Sequence, residues 1–278
     1  MHDEQLNQDV QARKEQQHQE DLQRIRGFRM FDNTFMNACL SDNIPGTELI
    51  LQIVLGKPGL KVNRVETQKL LKNLQGRDIW LDVEAEEADG TKYNIEIQRD
   101  DRGAGFKRAR YHASMLDSNA LRPSDEFDQL PNAYVIFITE SDVIGKNKPI
   151  YTVERRITNI DEAFEDGQHI LYVNGADQNN ATELGKLMHD FSCSNPDDMY
   201  FEILADRARY FKENEKGVAE MCKVIEDVRN ENTKQVMANN IQNLMKNLKL
   251  TVEQAMDALS VPQTQREMYA KIVGKKSI

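Results

Sequence analysis

Apolar and polar residues alternate most regularly between Asp78 and Gln98. Two runs of period two flank Asp89-Gly90, a pattern that predicts a β-hairpin. Turn length sets its register. A two-residue turn at Asp89-Gly90 places Asp82 opposite Ile97 and mixes polar with apolar residues on both faces. A three-residue turn, Ala88-Asp89-Gly90 with Gly90 left-handed, pairs Asp82 with Glu96, Glu84 with Asn94, Leu81 with Ile97 and Val83 with Ile95. Only this register sorts both faces, and a one-residue slip buries the wrong set.

Other stretches follow helical or buried-strand patterns. Phe31, Phe35 and Met36 recur near helical spacing, with Cys39-Leu40 closing the stretch. Pro45-Gly46-Thr47 opens a second helix with Thr47 as N-cap, Leu49, Ile50, Ile53 and Val54 as its apolar face, and Gly56 at its end. Glu48 then falls in the first turn, where the helix dipole favours an acid. Val62–Thr67 reads as a first strand with broken alternation, inside a poorly patterned stretch running to Leu74. After the hairpin, a helix starts near Gly105 with Phe106, Ala109, Ala113 and Leu116 as its stripe. Ala133–Thr139 is a continuous apolar run of the kind buried in a sheet on both faces. Ile150–Val153 and His169–Val173 are further strands; His169 and His189 read as structural. The chain is helical from about Thr182, with one long helix over Gly217–Leu248. Thr251-Val-Glu-Gln254 is a capping box, and Pro262 starts a last helix. This final pair reads as a helical hairpin closing the domain or as a dimer contact, ahead of a helix-turn-helix. Met1–Arg26 is polar throughout and reads as a frayed helix or disordered tail.

Composition narrows the class. The chain has 278 residues, 29% of them charged, and a mean hydropathy of −0.67. No apolar run is long enough for a bilayer, and the N-terminus lacks a signal-peptide pattern, so no membrane partner is expected. Cys39, Cys193 and Cys222 are scattered, with no CxxC and no histidine at ligand spacing; a reduced cytoplasmic setting fits, and zinc does not. The net charge of −10 argues against a general nucleic-acid binder. The stretch Arg99–His112 departs from it: Arg99, Arg102, Lys107, Arg108 and Arg110 oppose only Asp100 and Asp101.

Chemistry concentrates on the polar face of the hairpin. Asp82, Glu84 and Glu96 crowd it, with Lys92 the one nearby base of the hairpin. Opposed carboxylates repel, and they are also what a hard divalent cation requires. On the hairpin alone the plainer reading, a half-exposed sheet face with ordinary charges, stands ahead. Lys107, Arg108 and Tyr111 lie off the apolar stripe of the following helix, as a solvated basic face or as phosphate contacts.

Asp82…Glu96-Ile97-Gln98 resembles the metal-binding motif of PD-(D/E)XK nucleases, with Gln98 where most members have lysine. Trp80–Glu84, Tyr93–Gln98, Lys107–His112, Tyr134–Thr139 and Met188–Phe191 resemble, in order, one branch: the bacterial recombination-promoting nuclease and transposase family. That resemblance implies an α/β fold with a restriction-endonuclease-like core, a mixed central sheet flanked by helices, and a helical C-terminal extension. The expected divisions are a tail over 1–26, the nuclease-like domain over 27–195 and the extension over 196–278. It implies that Asp82 and Glu96, with the Ile97 carbonyl as third ligand, hold Mg2+ or Mn2+, that Glu48 assists the metal or water, and that Gln98 is catalytic. Lys107, Arg108 and Tyr111 would bind DNA. The implied activity is metal-dependent endonucleolytic hydrolysis of DNA, associated with recombination or mobile elements. The alternative is a catalytically silent DNA-binding or oligomerising protein on the same scaffold, with a homodimer through the C-terminal helices as its assembly; strand transfer is a third.

Overall fold

The computed structural model describes residues 2–73, 76–99 and 101–275. Leu74 and Gln75, ahead of the hairpin, and Asp100, in the basic stretch, lie outside the described residues. The polar N-terminal segment is helical, α1 (His2–Gly27). Two short helices follow, α2 (Asn33–Leu40) and α3 (Ile44–Leu55). The cap of α3 differs from the expected one. Asn43 is the N-cap, its side chain accepting from Gly46 N–H at 3.0 Å, and Pro45 sits in the first turn where no N–H is missed. Thr47 is therefore inside the helix and buried, and Glu48 lies beyond the dipole-favoured first turn. Gly56 ends α3 at φ +62°.

The hairpin and its neighbours follow: β1 (Arg64–Leu71), β2 (Ile79–Glu86), β3 (Lys92–Gln98), α4 (Phe106–Ser118) and β4 (Ala133–Thr139). Then come β5 (Ile150–Val153), a two-stranded ribbon of β6 (Arg156–Ile157) and β7 (Glu162–Ala163), and β8 (Gln168–Asn174). Among the described residues the main sheet has the order β1-β2-β3-β4-β8-β5. β4 pairs in parallel with both β3 and β8, and the other neighbours are antiparallel. Being central and covered on both sides, β4 needs the unbroken apolar run it has. α4 packs Ala109, Ala113, Met115 and Leu116 against Val135 and Phe137 of β4 and Tyr172 of β8. Phe106 leaves the expected stripe: it is exposed, with its ring edge-on to Tyr172 at 5.7 Å. On β1 and β2 the neighbours are α2 and α3.

The β2–β3 turn has the three-residue form. Glu87 N–H bonds Thr91 O at 3.0 Å, Gly90 N–H bonds Glu87 O at 3.1 Å, and Gly90 has φ +89°. Val83 pairs with Ile95, Glu84 with Asn94, Ala85 with Tyr93 and Glu86 with Lys92. The ladder stops at Val83, so the expected backbone pairs Asp82 with Glu96 and Leu81 with Ile97 do not form. Strand alternation breaks here. Leu81 belongs to the apolar cluster around α4, and Glu84, through its partner Asn94 against His112, faces the same helix. An odd and an even position share one side only if the pleat is interrupted between them. Opposite the break, Gln68 of β1 sits at φ +53°, between the pairs Thr67–Val83 and Lys69–Leu81.

The rest is helical: α5 (Glu183–Ser192), α6 (Glu202–Glu213), α7 (Glu215–Leu248), α8 (Val252–Ala258) and α9 (Gln263–Lys275). Asp190 of α5, in the Met188–Phe191 motif, is buried and accepts the N–H groups of Tyr200 and Phe201 at 2.8 Å, which fixes the entry to α6. The chain divides into two compact units, Met1–Met221 and Cys222–Ile278, with the division inside α7. The second unit buries Ala238, Ile241, Ala255, Met256, Val261, Tyr269 and Val273. Its capping box forms as expected: Thr251 Oγ1 accepts from Gln254 N–H at 3.2 Å, and Gln254 Oε1 accepts from Thr251 N–H at 2.9 Å. No helix of the described residues is long and apolar enough to cross a membrane.

Candidate active site

Where the hairpin ladder stops, the carboxylates of Asp82 and Glu96 take over the backbone groups it leaves unpaired. Ile97 N–H donates to Asp82 Oδ2 at 3.0 Å, and Asp82 N–H donates to Glu96 Oε1 at 3.3 Å. The break in the pleat thus locks both acids side by side without orphaning a backbone donor. Both side chains are buried. Burial first, and the Glu96 carboxylate second, push Asp82 up to about 6, against the opposing pull of Ile97 N–H, Asn33 and Arg108. Two further amides steady Asp82 Oδ1: Asn33 at the start of α2 donates at 3.0 Å, and Gln68 at 3.5 Å. The third acid of this face, Glu84, is neutralised by Lys69 and, at 3.2 Å, by Arg64.

Helix α4 supplies the partners of Glu96. Arg108 and His112 are one turn apart and therefore share a face. The Arg108 guanidinium lies 3.3 Å from Glu96 Oε2, and His112 Nδ1 lies 3.4 Å from Oε1. His112 is buried, tilted on Phe137, with Nδ1 also 3.1 Å from the Asn94 amide.

The remaining expected residues divide. Ile97 is at the site through its backbone. Gln98, two positions beyond Glu96, lies with its side chain against Gly103, where an added Cβ would collide with it. Lys107 is exposed on α4. Tyr111 is engaged elsewhere: its hydroxyl donates to Arg77 O at 2.6 Å and accepts from Asn73 at 3.0 Å, joining α4 to the β1–β2 connection. Glu48 is held by Lys61 at 2.7 Å and by Val62 N–H at 3.1 Å, contacts that keep its carboxyl below the usual range. Among the described residues no group of three or more His, Cys, Asp and Glu side chains is placed to hold a metal, so Glu48 does not complete a cluster with Asp82 and Glu96. Arg99 of the basic stretch bridges Asp32 at 2.7 Å and Glu140 at 3.3 Å.

Asn33, Gln68 and His112 are additions to the site. Asn33 is 49 residues from Asp82 in sequence, and nothing local marks it. Only His112 carried a signal, its spacing of four from Arg108 on a helix beside the acids.

A mixed sheet flanked by helices, with an antiparallel acid-bearing hairpin leading into parallel strands, is the α/β restriction-endonuclease-like fold. The chain belongs to the PD-(D/E)XK nuclease family transposases, whose family model matches residues 50–191. The match spans the hairpin, α4, β4 and β8 and ends on Phe191. No curated protein and no solved structure matches the chain.

Proposed function

We propose that the protein is a metal-dependent endonuclease that hydrolyses DNA phosphodiester bonds, in recombination or on mobile elements. The observation that carries this is the buried Asp82–Glu96 pair. Burial, and after it the neighbouring Glu96 carboxylate, push Asp82 up to about 6, which a divalent cation would relieve. The donor set is all oxygen: two carboxylates, with the Ile97 carbonyl as a third candidate. It fits Mg2+ or Mn2+, hard ions that keep several of their waters, better than zinc. Such an ion, when bound, polarises the phosphoryl oxygen and acidifies a water. Asp82 and Glu96 hold it, while Asn33 and Gln68 keep Asp82 aimed. The Gln98 amide orients water, with no charge to contribute and no capacity to act as a base at neutral pH. Lys107 neutralises backbone phosphate. In the reaction the water oxygen bonds to phosphorus and one ester P–O bond breaks. The leaving oxygen gains a proton and the water loses one, giving a phosphate monoester and a free hydroxyl.

A silent scaffold is the second reading, favoured by one observation: both Glu96 oxygens already face a base of α4. Supercoiled and linear DNA incubated with magnesium, manganese or chelator separate the readings. Metal-dependent nicking or linearisation supports the nuclease, joined products point to strand transfer, and intact DNA in every condition leaves the scaffold.

A further inference from the structure

The acid pair and Gln98 leave the site short of a cation. The Gln98 position holds a neutral amide packed on Gly103, which brings no positive charge to an attacked phosphate. Four bases of the described residues are committed elsewhere: Lys69 and Arg64 to Glu84, Lys92 to Glu86 at 3.4 Å, and Arg99 to Asp32 and Glu140. Arg108 differs. Its side chain is 44% exposed, yet its guanidinium reaches Glu96 Oε2, on a residue with no exposure at all. It spans the distance between solvent, where a DNA strand would run, and the buried acids.

We infer that Arg108 is a catalytic residue that supplies the charge Gln98 lacks: it guards Glu96 while the metal is away and moves onto the attacked phosphate when the metal binds. This rests on the nuclease reading above. A divalent ion between Asp82 and Glu96 outcompetes a single monovalent contact, because it brings twice the charge to both carboxylates. Glu96 keeps its orientation after the exchange, since His112 and Asp82 N–H hold Oε1, not Oε2. The released guanidinium is half in solvent already, so a side-chain rotation is enough to carry it outward. Its planar fork matches two non-bridging phosphate oxygens. There it stabilises the charge that builds up as the water oxygen bonds to phosphorus and the ester oxygen leaves. It surrenders no proton, because guanidinium stays charged at any working pH. Lys107, exposed on the same helix, is the comparison: among the described residues it forms no ion pair with Asp82 or Glu96.

The test uses the full chain as wild type, Arg108→Gln, Arg108→Lys and Lys107→Gln. It measures Mn2+ binding by calorimetry, single-turnover cleavage with Mn2+, and DNA affinity with Ca2+. Arg108→Gln should bind Mn2+ roughly three- to tenfold more tightly, having lost a competing charged hydrogen bond. Its cleavage should fall roughly 100-fold, the scale for removing one charge-stabilising donor. Its DNA affinity should fall no further than that of Lys107→Gln. Arg108→Lys, which keeps the charge and guards against a folding defect in the glutamine variant, should recover at least part of the lost rate. Cleavage by Arg108→Gln at the wild-type rate overturns the inference. So does a loss of DNA affinity as large as the loss of rate, an unchanged Mn2+ affinity, or no recovery in Arg108→Lys. Absence of both Mn2+ binding and cleavage in wild type is a different failure, because it removes the nuclease reading and this role with it.

Discussion

In the folded protein the Asp82 carboxyl is pushed up to about 6, whereas in an unfolded chain its ordinary value is near 4. The folded state therefore holds that proton more tightly. Ionised Asp82 costs stability above about pH 6, and the cost is relieved as pH falls from 6 towards 4. Asp82→Asn removes the charge and keeps the shape. With chelator present the variant should melt above wild type near about pH 7.5, and the gap should close as pH falls towards about 5. Added Mn2+ should raise the wild-type melting temperature and leave the variant where it was. A gap that is independent of pH would mean that neither burial nor the Glu96 carboxylate strains ionised Asp82. At this scale the sequence marked Asp82 and Glu96 as neighbours, because alternation and motif coincide there, and their carboxylates do lie side by side. It did not show what holds Tyr111 and Glu48, whose partners Arg77, Asn73, Lys61 and Val62 are set by tertiary packing rather than by local pattern.

Among the elements, the hairpin was legible because two constraints agree: the Asp-Gly turn chemistry and the sorting of its faces. Gly90 carries the first constraint. At φ +89° an L-residue is strained, although the nearest atom to an added Cβ is the Pro131 Cβ at an ordinary 3.9 Å. Gly90→Ala should therefore cost roughly 1–2 kcal/mol through backbone conformation alone. Gly59→Ala is the control, with open space and no left-handed angle, and should cost much less. Urea unfolding of the two variants reads the difference, and equal midpoints would remove the left-handed turn. The end of the hairpin was not legible. The pleat breaks at Asp82 opposite a left-handed Gln68, and that residue lies on β1, whose alternation in sequence was too poor to pair it with anything. The N-cap of α3 was missed for a related reason: Asn43 and Thr47 are both good caps by type, and only the bond from Gly46 N–H distinguishes them.

For the whole molecule, β4 with its uninterrupted apolar run identified a sheet covered on both sides, and the helices of the C-terminal region followed from spacing and a capping box. Electrostatics at this scale sets the terms of any DNA contact. With a net charge of −10, most of the surface repels a phosphate backbone, so binding has to come from a local group of bases. Lys107, Arg108 and Arg110 are exposed on one helix beside the acid pair, whereas Arg99 is held by Asp32 and Glu140. Each phosphate neutralised releases counterions and adds about −0.9 to the slope of log K against log salt, so three contacts give a slope of about −2.7. The wild-type protein with Ca2+ on duplex DNA should show a slope of roughly −3. Lys107→Ala and Arg110→Ala should each make it shallower by about 1 and weaken binding evenly across DNA sequences. Much of the repulsion from the rest of the chain is screened at physiological ionic strength, where the Debye length is about 8 Å, so the local group can prevail there. A slope of about −6 or steeper, or one that neither substitution changes, would assign the DNA to another face of the molecule and leave α4 serving only the acid pair.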